Sequence, residues 1–139
     1  MGQDTNQVQM GGSESSYKEV STHKGTAAAG LACVLKSDDT VTQTLSDGAL
    51  LGISMGRDLS DAGTVPICRK GAKIPILLES NAVNPAIGAP VYLHATSGKA
   101  DSTGTLVNAY YVSGELDAVL EDGSIVVDGC ALINFVGGL

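Results

Sequence analysis

Short apolar runs alternate along this chain with clusters of Gly, Asp, Ser and Thr at intervals of about ten residues, the spacing of an all-β sandwich or barrel. The clearest unit is Gly88-Ala-Pro-Val-Tyr-Leu-His-Ala-Thr-Ser-Gly-Lys-Ala-Asp101, which reads as a strand, a tight glycine-centred turn and the start of a second strand. The same grammar recurs between Gly30 and Gly48 and between Val65 and Leu78. It predicts strands over 18–23, 30–36, 40–45, 49–54, 64–70, 73–79, 89–94, 105–113 and 123–136, the last open to a break at Asp128-Gly129. Thr40-Val-Thr-Gln-Thr-Leu45 alternates and should have one wet face, whereas Ile74-Pro-Ile-Leu-Leu78 is apolar throughout and should be covered on both. Pro66 and Pro75 each remove a ladder donor, which predicts edge or bulge positions for both. One helical turn is expected around Asn81 to Ile87. A second is expected around Glu115 to Glu121, where Leu116, Val119 and Leu120 share a helical face.

At 139 residues the chain reads as one domain, large enough to fold without staples. Its core must be aliphatic, because it has no Trp and only Phe135 beside four Tyr. Residues 1–16 are polar, with Val8 and Met10 isolated among Gln, Asn, Gly and Ser, so they read as an arm that is disordered alone or ordered by a partner. A β-rich module over 17–139 follows, and deleting the arm should leave that module's fold and melting temperature unchanged. The three cysteines, Cys33, Cys68 and Cys130, lie far apart in apolar segments and read as small buried hydrophobes. With no C-x-x-C spacing and only His23 and His94 to complete a site, no metal is expected. The chain starts without a secretory pattern, and the longest apolar run, Ala27 to Leu35, is too short to cross a bilayer. A soluble protein made in a reducing cytoplasm is the expectation, with no membrane partner.

Net charge is −7, and it is unevenly spread. Arg57, Arg69, Lys70 and Lys73 fall in one central stretch and make up half of the eight basic residues, while Ala100 to Leu139 contains none. The acidic balance argues against a nucleic-acid partner. The asymmetry also predicts a homotrimer, in which the basic edge of one subunit meets the acidic edge of the next.

Candidate chemistry is thin. Gly52-Ile-Ser-Met-Gly56 matches the nucleophile-elbow pattern, with Asp61 and His94 following in the order of a hydrolase triad. The elbow needs a strand-to-helix turn in a large parallel sheet, and Arg57-Asp-Leu-Ser-Asp-Ala-Gly63 is turn-like instead, so Ser54 is expected to be structural and a small serine hydrolase is the remote alternative. Gly25-Thr-Ala-Ala-Ala-Gly30 has phosphate-loop glycines but Leu31-Ala32 where Lys and Ser/Thr are needed. Asp101-Ser-Thr-Gly104 has one residue too many for an aspartic-protease signature. Asp38-Asp39 and Glu121-Asp122-Gly123 lack the alternating ligands of a calcium loop and read as turn tips. No enzyme activity and no cofactor are expected.

The order of segments resembles the decoration, or capsid cement, proteins of tailed bacteriophages. The resemblance covers about Ala28 to Phe135 and lies in Ala29-Gly30, Gly48-Ala-Leu-Leu-Gly-Ile53, Asp61-Ala-Gly63 before Val65-Pro-Ile-Cys68, Gly71 before Ile74-Pro-Ile76, Ile87-Gly-Ala-Pro-Val-Tyr92, Gly98-Lys99, Val112-Ser-Gly-Glu-Leu116 and Glu121-Asp-Gly123. It implies a small β-barrel or β-sandwich on the outside of an assembled phage head, commonly trimeric, that clamps neighbouring major capsid protein subunits and has neither activity nor cofactor. The residues singled out for partner contact are Gln3, Asn6, Gln7, Val8 and Met10 of the arm and Arg57, Arg69, Lys70 and Lys73 of the basic stretch. Another self-assembling phage protein, a tail-tube or adaptor-like β-barrel, is the alternative.

Overall fold

Val, Ile and Thr recur through the apolar runs, and their branched side chains suit a pleated surface better than a helix. The computed structural model describes residues 7–11, 18–56, 63–80 and 83–137. These form β1 (Gln7–Gln9), β2 (Lys18–Gly25), β3 (Ala32–Leu35), β4 (Thr40–Thr42), β5 (Ala49–Ser54), β6 (Thr64–Leu77), β7 (Pro90–Leu93), β8 (Ala100–Asp101), β9 (Thr105–Tyr111), β10 (Leu116–Val119) and β11 (Ile125–Phe135), with a 3-10 turn at Leu45–Asp47. The protein is all-β.

Strands β2, β4, β3, β5 and β6 pair in that order, and β2 pairs back onto β6 to close a five-stranded barrel. Cys33, Val41, Leu51, Val65 and Ile67, with Ala27, fill its interior. The second half of β6 leaves the barrel and pairs with β11, which continues through β9, β7 and β8 as an outer sheet. The largest core packs Ile53 and Cys68 with Ile74, Ile76, Val91, Leu93, Ile133 and Phe135.

One strand thus serves both layers where the sequence pattern predicts two. Gly71 is paired on both sides, to Lys18 of β2 and to Phe135 of β11, so the ladder runs on through the predicted gap. A Cβ at Gly71 would stand 3.0 Å from both Cys68 Sγ and Ile74 Cδ1, and Lys73 takes a left-handed φ of 53°, so the strand bends here and remains continuous. β11 likewise stays continuous through Asp128, also at φ 53°. The prolines are not confined to edges as expected. Pro66 lies opposite Thr22 and Pro75 opposite Leu132 within paired strands. Leu77 N donates to Gly30 O rather than to β11 (2.9 Å), so the donor missing at Pro75 also faces away from β11 and breaks no bond in that ladder.

Three further expectations change. Residues 116–119 are a strand and not a helical turn, because β10 lies between β1 and β11 and its backbone is paired on both sides. Asn81 and Ala82 lie outside the described residues, and 83–87 contain no helix. Val8 and Met10, expected to stand outside the core, are each only 4% exposed. β1 pairs in parallel with β10, which carries both side chains into a third cluster with Ala29, Ala118 and Cys130. Apolar residues two apart on a strand share a face, so even this sparse pattern is enough to anchor the segment. The rest of the predicted arm, 1–6 and 12–16, lies outside the described residues.

Candidate interaction surface

The row Lys18–Gly71–Phe135 crosses three neighbouring strands and centres a basic ribbon. Glu19 pairs opposite Lys70 and Val20 opposite Cys68, so Arg69 falls at a bulge between them. Lys18, Lys24, Arg69, Lys70 and Lys73 are all exposed along β2 and β6. Lys73 N donates to Asn134 Oδ1 (3.0 Å), and Asn134 Nδ2 donates to Tyr110 OH (2.9 Å), which ties the ribbon to β11 and β9. Val20, on β2, and Val136, just beyond β11, are exposed large apolar residues. On the opposite face of β2, His23 Nε2 lies 2.7 Å from Ser21 Oγ. Burial, and then the positive charge of Arg69, lower the His23 pKa, with Asp39 acting in the other direction.

The β10–β11 hairpin carries the opposite charge. Its turn closes through Leu120 N to Ser124 O (2.8 Å) and Gly123 N to Leu120 O (2.9 Å). Asp122 Oδ1 accepts from Ser124 Oγ (2.6 Å) and Ser124 N (2.9 Å), and these bonds hold its carboxyl below the usual carboxylate range. Asp117 Oδ1 accepts from Asp128 N (3.0 Å) across the register shift that opposes Leu116–Ala118 to the longer Val126–Cys130. This bulge lifts Val127 outward to 70% exposure, and Ile125 and Val126 beside it are also exposed. Behind the hairpin a cleft of about 340 Å³ is lined by Met10, Ala28, Ala29, Leu77, Leu120, Glu121 and Asp122. Glu121 Oε2 accepts from Ala29 N at 3.4 Å on its rim.

The elbow-like motif belongs to the barrel. Ser54 is 1% exposed; its Oγ donates to Ala27 O (3.4 Å) and accepts from Gly56 N (3.2 Å). Gly52 allows β5 to approach β6, since a Cβ there would stand 2.1 Å from Cys68 O. Asp61 lies outside the described residues. His94 Nδ1 accepts from Thr96 N (3.3 Å) and Ser97 N (3.2 Å) within its own turn, between β7 and β8. Asp38 caps its turn by accepting from Thr40 Oγ1 (2.6 Å) and Thr40 N (3.1 Å). Cys33, Cys68 and Cys130 are buried and free, and burial pushes the Cys33 and Cys130 thiols up to about 12. Among the described residues no group of three or more His, Cys, Asp or Glu could hold a metal ion, and no helix is long and apolar enough to cross a membrane.

Of the residues singled out for partner contact, Gln3, Asn6 and Arg57 lie outside the described residues. Val8 and Met10 pack inward and are not available to a partner, and Gln7 is half-buried in β1. Arg69, Lys70 and Lys73 are exposed and lie together. Lys18 and Lys24 join them only through the β2–β6 pairing, which local sequence does not reveal. Ile125, Val126 and Val127 were also missed, because a strand of β-branched residues reads as covered; the acidic residues around them were the available signal. The chain matches no protein-family model, no curated protein and no solved structure.

Proposed function

We propose that this protein is a structural component of a phage virion, a cement protein that binds the outer surface of the assembled head and bridges major capsid protein subunits, with homotrimers as its working form. The observation that carries this reading is the surface of the barrel module. Paired strands present exposed aliphatic residues next to charged ones at two places, Ile125, Val126 and Val127 on the acidic hairpin and Val20 on β2 beside Lys18 and Glu19, a composition suited to protein contacts. The order of segments that resembles capsid decoration proteins, from Ala29-Gly30 to Glu121-Asp-Gly123, is a second support for this reading.

A cement protein acts by mass action. Binding to the assembled lattice and not to free subunits raises the lattice's stability by RT ln(1 + [L]/Kd), about 2.7 kcal/mol per site at a hundredfold excess over Kd. The test is thermal disruption of heads lacking the protein, with and without added purified protein. The expected result is a rise in disruption temperature that saturates with occupancy. Unchanged disruption at saturating protein would refute the function.

A further inference from the structure

Tyr111 ends β9 only 4% exposed, and among the described residues its hydroxyl has no hydrogen-bond partner. A buried polar group left in this state costs free energy that a partner would recover. Tyr111 lines a cleft of about 280 Å³ together with Tyr92, Asp101, Ser102, Asn84 and Pro90. Asn84, Pro90 and Ser102 are exposed, so the cleft is open to solvent.

Strand ends of unequal length make the cleft. β8 stops at Asp101, opposite Tyr92, whereas β7 extends two residues further, to Pro90. The edge of the outer sheet is notched there, and side chains from both of its faces reach the gap. Tyr92 and Asp101 come from the half-buried face and Tyr111 from the buried one. Asp101 is oriented by Ser102 N, which donates to its Oδ1 (2.7 Å). Tyr111 is fixed by its N donating to Ala89 O (3.0 Å) and by Gly88 N donating to its O (2.8 Å). Burial, and then the negative charge of Asp101, raise the Tyr111 pKa, which keeps the phenolic proton in place and available to donate.

The lining selects among ligand chemistries. It holds one carboxylate and no Lys or Arg, which disfavours an anion. A wholly apolar ligand would leave the Tyr111 hydroxyl unpaired and strip water from Asp101. An ammonium only donates, so the phenolic proton would still lack an acceptor. A hydroxyl accepts from Tyr111 and donates to Asp101, and Asn84 and Ser102 can also do both. Pro90 and the two tyrosine rings supply apolar wall for C–H groups. A single water also satisfies Tyr111, but its share of liquid volume is only about 30 Å³, which leaves most of the cleft for something larger. We propose that this cleft binds a saccharide unit, Tyr111 donating to one ring hydroxyl and Asp101 accepting from another. The proposal rests on no part of the capsid reading.

The experiment titrates the full chain with glucose, galactose, mannose and N-acetylglucosamine, with butylammonium and inorganic phosphate as the cationic and anionic probes. The chain has no Trp, and Tyr92 and Tyr111 are among its four tyrosines, so tyrosine fluorescence reports on the cleft and amide NMR shifts locate the ligand. At least one saccharide should give a saturable change with a Kd on the order of 1 mM, the affinity that about a dozen non-hydrogen atoms reach, with shifts confined to 83–92, 101–102 and 111. Tyr111→Phe removes only the unpaired oxygen, so it should melt at or above wild type while binding the saccharide about tenfold more weakly. Asp101→Asn keeps an acceptor for Ser102 N and should weaken binding by a similar factor in a folded protein. No saturable response to any of the saccharides well above that Kd, shifts elsewhere on the molecule, or butylammonium or phosphate bound in the cleft instead would overturn the proposal. So would undiminished binding by Tyr111→Phe, or a Tyr111→Phe protein melting well below wild type, which would show that the hydroxyl already has a partner within the fold.

Discussion

Replacing Gly52 with Ala and Ser54 with Ala separates two readings of the same five-residue motif. In an elbow the serine is the indispensable residue, and its loss abolishes chemistry while leaving the fold in place. In this barrel the glycine matters more. An added methyl at Gly52 would meet Cys68 O at 2.1 Å and Cys68 C and Ile67 Cγ2 at 2.8 Å each, all on β6 and two of them backbone atoms. The strands must separate to admit it. Overpacking of this kind costs about 1–3 kcal/mol, and a backbone obstacle places Gly52→Ala toward the upper end. Ser54→Ala removes one long hydroxyl bond to Ala27 O and leaves Gly56 N without its acceptor, about 1 kcal/mol. At roughly 3–5 °C per kcal/mol for a domain of this size, the melting temperature should fall about 10 °C for Gly52→Ala and about 4 °C for Ser54→Ala. Thermal and urea unfolding followed by circular dichroism measure both. Gly52→Ala melting with wild type, or Ser54→Ala melting lower than Gly52→Ala, would refute the assignment of the motif to strand packing.

Three further outcomes follow from the same geometry. Met10→Ala should destabilise by about 2 kcal/mol, and deletion of residues 2–11 should lower the melting temperature, because β1 is part of the packed body; a truncated protein as stable as wild type would show that β1 contributes nothing. Thiol labelling at pH 8 should find no fast-reacting cysteine in the native protein and all three after denaturation, since burial raises each thiol's pKa. His23 has a lowered pKa in the folded protein, so the unfolded chain binds its proton more tightly, and stability should fall as pH drops through about 6.5 and level off below the folded value; His23→Gln should reduce that slope, and an identical slope in both proteins would assign it elsewhere.

Local pattern is informative here wherever structure is local. Alternation and glycine spacing placed the hairpin of β7 and β8, the run from Ala49 to Ser54 and the doubly covered Ile74–Leu78 close to where they lie. The same reasoning failed where long-range pairing decides the outcome. Gly71 reads as a break because glycine usually punctuates, yet ladder bonds to β2 and β11 carry the strand through it. Leu116, Val119 and Leu120 have helical spacing, but backbone partners on both sides of β10 override it. For the contact surface, the basic stretch was visible as Arg69, Lys70 and Lys73, whereas Lys18 and Lys24 join it through a partner strand some fifty residues distant. Val8 and Met10 were misread because a three-residue strand with a single buried face leaves almost no periodicity to detect.

The central claim is that this barrel module is a contact-making component of a phage head. Its most direct test is co-sedimentation of the purified chain with emptied heads that lack it, across a dilution series, with bound protein counted against major capsid protein. The account predicts saturable binding that levels at a fixed ratio of this chain to capsid subunits. Pellets containing no more of the chain than a head-free control, at concentrations well above those at which it self-associates, would contradict it.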